Sequence, residues 1–473
     1  MTSGGLLENE ASRRQKRRAE RWVKRQARLD RHYPPRENRL GEAGTCRGAG
    51  ADVGCIEAGW TCPPPVSLAN GTGVRLFKDG QGLMVALAAI KAAREQVCLE
   101  TYIFRSDVTG RAFANALSER AKSGVRVYVI YDSFGCVDSD PAMFRKMRLA
   151  GVNLAEFHPI RPWDVTHSWR PLHRDHRKLL VIDNRIAGLG GLNVGSEYGS
   201  GFLVSRARRC ELWRDNAISI SGPGAAILAE CFARTWRYCH RGGPIIQAAM
   251  VDHVNADQNA RVPGADQSRP WRRCMIGKAK ADLHSPLGPR LLESDFGVLA
   301  SVPMAGSPLV PFLHKLVHDA RHSLDMTVAY FVPSDFLIIA LLRAARRGVH
   351  VRLMLPGRCD VKLARFATHS FYESLLSAGI EIWERQGAVL HAKTMVIDGE
   401  ISVIGSVNLD YRSIKFNCEL SAVVRSRALG QQMTCLFQHD IGFAEKILLA
   451  QWRRRPWRDR VVEWAANRSR YLL

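Results

Sequence analysis

Six side chains suited to phosphate chemistry occur in this chain as two sets with the same spacing. Both sets fit the pattern His-x-Lys-x4-Asp-x6-Gly-x-x-Asn, and a chance match to its five positions is on the order of one in ten thousand. The six side chains are His176, Lys178 and Asn193 in the first copy and His391, Lys393 and Asn408 in the second, and Asp183 and Asp398 occupy the Asp position of the pattern. One copy alone would fit an ordinary exposed strand equally well, but two copies in one chain indicate a duplicated site.

Each copy is predicted to form a β-hairpin. The residues before each Asp are apolar and β-branched, the Asp opens a turn at Asn184 or Gly399, and a second apolar run follows. Folding about that turn returns each Asn beside its own His, and the His and Lys share one face of the strand. Asp183 and Asp398 lie at the other end, roughly 20 Å away at about 3.3 Å per residue. Spacing therefore makes both aspartates turn or scaffold residues.

Two imidazoles, two ammonium groups and two carboxamides suit an anionic phosphodiester. The Lys and Asn donors can hold the non-bridging oxygens and the charge that develops on them. One imidazole can attack phosphorus while the other protonates the departing alcohol and later deprotonates the acceptor. Because the lysines supply positive charge, we expect neither a metal ion nor another cofactor to be required.

The paired motif is that of the phospholipase D superfamily, and the surrounding residues resemble bacterial cardiolipin synthases. The resemblance covers about residues 70–455, and the chain looks most like the branch without N-terminal transmembrane helices. The segments that carry it are LETYIFRSDVTG, RDHRKLLVID, GGLNVGSEY, AYFVPS, VLHAKTMVID and IGSVNLDYRSIKFNCE. The family's activity is phosphatidyl transfer in phospholipid biosynthesis through a phosphohistidine.

The resemblance implies roles for individual residues. It makes His176 the nucleophile and His391 the acid, and it counts the Lys and Asp of each motif, Lys178, Asp183, Lys393 and Asp398, as catalytic. Phosphate binding is implied for Lys178, Asn193, Lys393, Ser406 and Asn408. The family also places a histidine-orienting acid after each motif. By matched position Asp215 is expected to serve His176 and Glu419 to serve His391, the alternative being surface acids on an edge strand.

The pattern of elements predicts an α/β fold made of two copies of one unit. Helical and strand patterns alternate in the same order in residues 82–157 and 309–385, and the matching offsets differ only by loop length. We expect two phospholipase D-type domains, each a mixed sheet sandwiched by helices, related by a pseudo-twofold axis. The shared site is expected in the cleft between them.

Five regions are predicted along the chain. They are a basic tail and linker (1–68), a first domain (69–245), a linker (246–290), a second domain (291–445) and a basic, Trp-rich segment (446–473). Residues 12–31 carry ten Lys or Arg, which fits either a solvated tail or contact with anionic membrane. The aromatic residues of the last region, Trp452, Trp457, Trp464 and Tyr471, fit either interfacial seating or packing onto the second domain.

Composition limits the partners. The chain has 68 basic and 45 acidic residues, a net charge of +23, which suits anionic lipid or nucleic acid. No apolar run reaches about 18 residues, so no membrane span is predicted. The 12 cysteines are scattered, and reduced thiols are expected, with a disulfide or zinc site among Cys46, Cys55 and Cys62 as the alternative.

Three functions from different classes fit these observations. The first is a cardiolipin synthase that converts two phosphatidylglycerols to cardiolipin and glycerol, with phosphatidylethanolamine as a possible second substrate. The second is a phospholipase D that releases phosphatidic acid, and the third is a nucleic-acid phosphodiesterase. The first predicts a peripheral protein on the cytoplasmic side of the cytoplasmic membrane, in contact with anionic lipid and with no specific nucleic acid.

Overall fold

The computed structural model describes residues 60–160, 172–199, 213–241, 248–251, 291, 294–302, 308–359 and 361–470. These residues belong to one unit that spans Cys46–Leu473. The basic segment 12–31, Cys46, Cys55, most of the predicted linker and Tyr471 lie outside the described residues. Cys62 is a free thiol that donates to the carbonyl of Leu76 at 3.2 Å.

The first half alternates strands with helices as its sequence predicts. Its strands are β1 (Val66–Ser67), β2 (Gly73–Lys78), β3 (Gln96–Thr101), β4 (Arg126–Asp132), β5 (Asn153–Phe157), β6 (Arg174–Asp175), β7 (Leu179–Ile182), β8 (Ile186–Gly190), β9 (Trp213–Arg214) and β10 (Asn216–Ser221). Its helices are α1 (Gln81–Ala92), α2 (Val108–Lys122), α3 (Pro141–Leu149) and α4 (Pro223–Arg241). The side chain of Asp107 accepts from the amide of Gly110 and fixes the start of α2, as an N-cap does.

The second half repeats that order. Its strands are β11 (Ala248–Val251), β12 (Phe296–Ser301), β13 (Ser323–Val328), β14 (His350–Pro356), β15 (Glu381–Arg385), β16 (Val389–Leu390), β17 (Lys393–Ile397), β18 (Ile401–Gly405), β19 (Asn417–Arg425) and β20 (Ala444–Lys446). Its helices are α5 (Leu309–Asp319), α6 (Asp335–Arg346), α7 (Lys362–His369), α8 (Tyr372–Ser377), α9 (Tyr411–Lys415), α10 (Arg427–Ile441), α11 (Leu449–Arg453) and α12 (Trp457–Arg468).

The two sheets share the order of eight strands, and the second adds β20 at one edge. The first has the order β1-β2-β10-β8-β7-β3-β4-β5, and the second has β11-β12-β19-β18-β17-β13-β14-β15-β20. In both sheets three neighbouring strands are parallel, β3-β4-β5 and β13-β14-β15, and the other pairs on these paths are antiparallel. The predicted fold class, two duplicated domains with mixed sheets, is confirmed.

The two sheets share a central helical layer. Helices α4 and α10 contribute apolar side chains to one core that also contains residues of β2, β8 and β10 from the first sheet and β12, β18 and β19 from the second. Helices α1, α2 and α3 cover the other face of the first sheet, and helices α5 to α8 cover that of the second. The sequence analysis did not predict α4 and α10, although α4 has apolar residues at helical spacing, including Ala225, Leu228 and Phe232.

Two short strands cross from one half to the other. Strand β6, which leads into the first motif, pairs in parallel with the start of β19. Strand β16, which leads into the second motif, pairs in parallel with β9. Each motif is therefore anchored beside the acid of the opposite half, since β19 contains Glu419 and β9 directly precedes Asp215.

The described C-terminal tryptophans differ in their exposure. Trp452 is partly buried and packs on His369 and Tyr372, with ring centroids 5.1 and 4.7 Å away. Trp457 and Trp464 are 70% and 61% exposed on α12. None of the described helices is both long and apolar enough to cross a bilayer.

Candidate active site

His176 is held at the junction of the two halves. It follows β6 directly, and its amide donates to the carbonyl of Cys418 on β19 at 2.9 Å, continuing the pairing between the halves. The next residue on β19 is Glu419, and Nδ1 of His176 donates to its Oε2 at 3.0 Å. The imidazole is thereby oriented by a carboxylate of the other half.

His391 has the same arrangement from the opposite side. Its amide donates to the carbonyl of Arg214 on β9 at 2.8 Å, and the next residue there is Asp215. Nδ1 of His391 donates to Oδ2 of Asp215 at 2.6 Å. In both cases the Nε2 atom is left for chemistry, because Nδ1 is taken by the carboxylate.

The predicted pairing of acids with histidines was wrong. Matched position assigned Asp215 to His176 and Glu419 to His391, whereas the structure pairs Glu419 with His176 and Asp215 with His391. The reason is the exchange of β6 and β16 between the halves, which places each histidine against the acid of the other copy. Both acids are fully buried, so the alternative of surface acids does not apply.

The two carboxylates have different environments. Glu419 Oε2 accepts from the hydroxyl of Ser406 at 2.5 Å, and its Oε1 accepts from the amide of Asn417 at 3.3 Å. Burial alone would raise the pKa of Glu419, but His176 and Ser406 lower it below its usual value. The single proton of the Ser406 hydroxyl is donated within this network, so the prediction that Ser406 binds phosphate is corrected. It positions Glu419.

Asp215 receives less support. Its Oδ1 accepts from the amide of Asn216 at 2.7 Å, and burial raises its pKa to about 6 despite the opposing charge of Lys393. The position that matches Ser406 is Gly191, where any added Cβ would collide with the Asp215 carboxylate. The two dyads are therefore chemically unequal although the backbone is duplicated.

Both motif lysines lie beside their histidines. Lys178 donates to the carbonyl of His176 at 2.6 Å, and Lys393 donates to that of His391. Burial lowers the pKa of Lys178 to about 7, with Lys393 adding to the effect and Glu419 opposing it. Two ammonium groups close enough to affect one another form a site that favours an anion.

Burial also keeps the histidines neutral. It lowers the pKa of His176 to about 4, although Glu419 opposes the shift. Burial lowers the pKa of His391 further below its usual value, and the charges of Lys393, Lys178 and His176 act in the same direction. The mutual effects of these four groups indicate that the two motifs face one common site.

The motif asparagines are placed differently in the two halves. Asn193 accepts from the amide of Ile103 at 3.1 Å and donates to the hydroxyl of Tyr198 at 2.8 Å. Asn408 is buried, and its Oδ1 has no hydrogen-bond partner among the described residues. Asn193 thus supports its surroundings, while the unpaired atom of Asn408 is an acceptor, so only its Nδ2 group could donate to a phosphate oxygen.

Asp183 and Asp398 are scaffold residues, as the hairpin spacing predicted. Both adopt positive φ, 50° and 53°, in the hairpin turn. Asp183 accepts backbone amides of residues 94–96 at 2.8 to 3.3 Å, and Asp398 accepts those of residues 321–323 at 2.7 to 3.3 Å. Each fastens the loop that follows α1 or α5 to its hairpin, so the catalytic role implied by the family motif is indirect.

Three aromatic residues at the site were not predicted as functional. The ring of Tyr102 meets His176 edge-on, with centroids 4.9 Å apart, and lies 5.4 Å from the ammonium of Lys178. Trp213 and Tyr198 lie 4.8 and 5.5 Å from the ring of His391. Trp213 stands two residues before Asp215, which is the signal that sequence reasoning had available.

Buried arginines fix the strands that exchange between the halves. Arg214 forms a two-bond pair with Asp440, at 2.7 and 2.8 Å, and donates to the carbonyl of Asp215 at 2.5 Å. Arg177, between His176 and Lys178, donates to Thr235 on α4 and to the carbonyl of Ser301 on β12. Such paired, hydrogen-bonded charges can remain buried and rigid.

Comparison with known proteins gives consistent matches. A family model described as cardiolipin synthase, PLD-like domain, matches residues 86–200 and 313–441. A cardiolipin synthase of Geobacillus kaustophilus is 30% identical over 407 residues, covering 84% of this chain and 72% of its own. A cardiolipin synthase A of Pseudomonas putida is 30% identical over 383 residues, covering 80% of this chain and 70% of its own.

Solved structures agree on the fold. The crystal structure of a phosphatidylserine synthase of Haemophilus influenzae superposes with a TM-score of 0.60. It is 12% identical and covers 85% of this chain and 95% of its own. At that identity the match shows a common fold.

Proposed function

The chain belongs to the cardiolipin synthase family of the phospholipase D superfamily, and we propose that it joins two phosphatidylglycerols to make cardiolipin and glycerol. The phosphatidyltransferase class expected from the sequence is the class of this family. The observation that carries the transfer chemistry is the pair of imidazoles, each oriented through Nδ1 by a buried carboxylate of the opposite half.

The first step breaks the headgroup bond of the donor. Lys178, Lys393 and Asn408 hold the non-bridging oxygens of the phosphodiester. Nε2 of His176, neutral because burial lowers its pKa to about 4, attacks phosphorus. The bond from phosphorus to the glycerol oxygen breaks, and His391 donates its Nε2 proton to that oxygen. Glycerol leaves, and the phosphatidyl group remains on His176.

Substrate charge prepares His391 for its part as the acid. In the free protein the two lysines and burial hold its pKa low. A bound phosphodiester anion offsets the lysine charges, which favours a protonated imidazole. Asp215, 2.6 Å from Nδ1, then stabilises the imidazolium.

The second step transfers the phosphatidyl group. His391, now neutral, accepts the proton of the terminal glycerol hydroxyl of a second phosphatidylglycerol. That oxygen attacks phosphorus, the bond to His176 breaks, and cardiolipin leaves with the site restored. Water in place of the acceptor alcohol would give phosphatidic acid through the same residues, and family membership is what favours the lipid acceptor.

The membrane is met by the outer face of α12 in this proposal. Trp457, Val461 and Trp464 recur at helical spacing and are 70%, 53% and 61% exposed. Exposed arginines flank them on the same helix, including Arg458 and Arg468. Trp and Arg at the headgroup level of an anionic bilayer are typical of a helix that lies in the interface.

Product analysis tests the proposal. Purified protein is incubated with vesicles of phosphatidylglycerol labelled in the headgroup glycerol, and the lipids and free glycerol are measured by mass spectrometry. We expect cardiolipin and one labelled glycerol for each cardiolipin formed. Phosphatidic acid without cardiolipin would make the protein a hydrolase and refute the proposed transfer.

A further inference from the structure

An apolar cavity lies between α1 and the outer face of the first sheet. The space between its walls amounts to about 730 Å³, part of which is open to solvent. The walls are mostly apolar, with Ala86 and Ala89 on the helix and Leu180 and Gly188 on the hairpin among them. No part of the function proposed above uses this space.

One end of the cavity reaches the candidate active site. Lys178 lines the cavity, and its ammonium donates to the carbonyl of His176 at 2.6 Å. The lysine thus presents its aliphatic stem to the cavity and its charge to the reacting phosphate. At the other end the lining residues Val85 and Ile186 are exposed by 43% and 46%.

The duplicated half carries larger residues at the matching positions. Gln96 and Ser323 donate equivalent bonds to Asp183 and Asp398, which sets the alignment of the two halves. In that alignment small lining residues of the first half correspond in position to larger buried residues of the second. The pairs are Gly82 and Leu309, Val85 and Phe312, Ala86 and Leu313, Ala89 and Leu316, and Gly188 and Val403.

Backbone geometry does not demand a small residue at Gly188, Ala86 or Ala89, whereas a Cβ added at Gly82 would meet Cδ1 of Leu192 at 2.7 Å. A Cβ added at Gly188 would meet the nearest atom, the Cβ of Leu180, at 3.8 Å, which is an ordinary contact. Ala86 and Ala89 lie within a regular helix, where leucine is nearly as favourable as alanine. Well-packed cores leave few voids larger than a water molecule, so an open apolar space lined by small residues that the backbone does not require at Ala86, Ala89 and Gly188 favours a ligand.

We infer that this cavity holds an acyl chain of the donor phospholipid, whose phosphate lies at His176 and Lys178. An alkyl chain matches the apolar walls, and the cationic end matches the phosphate to which that chain is joined through glycerol. The inference rests on the proposed function, because it takes a phospholipid as the substrate. It makes the first half the donor side of the site.

The test fills the cavity with larger side chains, of the types found at the matching positions of the second half. Ala86→Leu/Ala89→Leu and Gly188→Val are compared with wild type, and Ala88→Leu is the matched control because Ala88 is exposed on the same helix outside the cavity. The donors are p-nitrophenyl phosphatidyl esters with two hexanoyl or two palmitoyl chains in mixed micelles. Release of p-nitrophenol gives kcat/KM for each donor.

We expect the cavity-filling variants to lose at least about tenfold in kcat/KM with the palmitoyl ester, since burial of a few methylene groups accounts for that factor. The hexanoyl ester should change by less than about twofold, and Ala88→Leu should match wild type with both. An unchanged chain-length ratio, or an equal loss with both esters, would overturn the inference. Release from neither ester by wild type would instead overturn the proposed function.

Discussion

Kinetics can distinguish the observed pairing, Glu419 with His176 and Asp215 with His391, from the reverse pairing. The variants that do so are carboxamides at the two acids. Glu419→Gln and Asp215→Asn each remove one charge and keep the size of the side chain. Oε2 of Glu419 lies 3.0 Å from Nδ1 of His176. Two unit charges about 4 Å apart attract by about 4 kcal/mol at an effective dielectric constant of about 20. At 1.36 kcal/mol per tenfold in rate, either variant should lose about 100- to 1,000-fold in kcat.

The assay compares two leaving groups. Glycerol needs a proton from the general acid as it departs, whereas p-nitrophenol leaves as a stable anion. Loss of the acid should therefore be largely rescued by a p-nitrophenyl donor, and loss of the nucleophile should not. We expect His391→Ala and Asp215→Asn to be rescued in the release step, and His176→Ala and Glu419→Gln to remain impaired.

The grouping of variants tests the geometry apart from the direction of the reaction. Each acid should behave like the histidine it contacts, whichever histidine is the nucleophile. Ser406→Ala is a graded control, because it leaves the Glu419 charge in place and removes one bond to it. Its effect should follow that of Glu419→Gln at smaller size. Asp215→Asn grouping with His176→Ala would refute the crossed pairing.

Other perturbations separate scaffold, charge and membrane contributions. Asp183→Ala removes an acceptor of three backbone amides, so urea denaturation should show that the free energy of unfolding falls by about 2–4 kcal/mol. The kcat per folded protein should change little. A loss of kcat as large as that of His176→Ala would contradict the scaffold role. Because the pKa of Lys178 lies at about 7 in the free protein and its charged form binds phosphate, kcat/KM should fall as pH rises through 7. Lys178→Arg should shift this fall to higher pH. A fall at unchanged pH would mean that another group causes it. Trp457→Ala/Trp464→Ala should weaken sedimentation with anionic vesicles and leave turnover of the micellar hexanoyl ester intact, and equal vesicle binding would exclude α12 as the contact. Chelation by EDTA should leave turnover of the same ester unchanged, whereas loss restored by one particular divalent ion would contradict metal-independent chemistry.

The local parts of the site were predictable from sequence because short-range patterns determine them. The hairpins pair as expected, with Leu179 opposite Leu189 and Thr394 opposite Ile404. The turn positions of Asp183 and Asp398 follow from that register. Duplication of the pattern then gave the fold class and the approach of the two motifs.

The partner of each histidine was not predictable, because it depends on contacts between distant segments. Spacing along the chain puts Asp215 nearest to His176 in sequence, but the pairing of β6 with β19 brings Glu419 there instead. Nothing within either hairpin encodes that exchange. The sequence has Ser406 in one copy and Gly191 at the matching position of the other. Only the fold shows that Ser406 donates a hydrogen bond to Glu419, whereas Asp215 has no such donor at Gly191.

The small residues of α1 were also visible in the sequence, but they did not predict the cavity. Ala86 and Ala89 read as ordinary core positions of an amphipathic helix. Only the alignment with Leu313 and Leu316, anchored by the amides that bind Asp183 and Asp398, shows that the second half has larger side chains at these positions. A void is a property of both packed surfaces, so a helical pattern alone cannot predict it.

The most direct test of the two-histidine mechanism is to trap the phosphatidyl group on the protein. His391→Ala is mixed with a p-nitrophenyl phosphatidyl donor, which needs no acid to depart, while the missing base prevents rapid transfer onward. The two-histidine mechanism predicts a burst of one p-nitrophenol per active protein and a phosphatidyl adduct on the peptide that contains His176. The adduct should be absent when His176 is also replaced. Release without a burst and without an adduct, or an adduct on a residue other than His176, would contradict it.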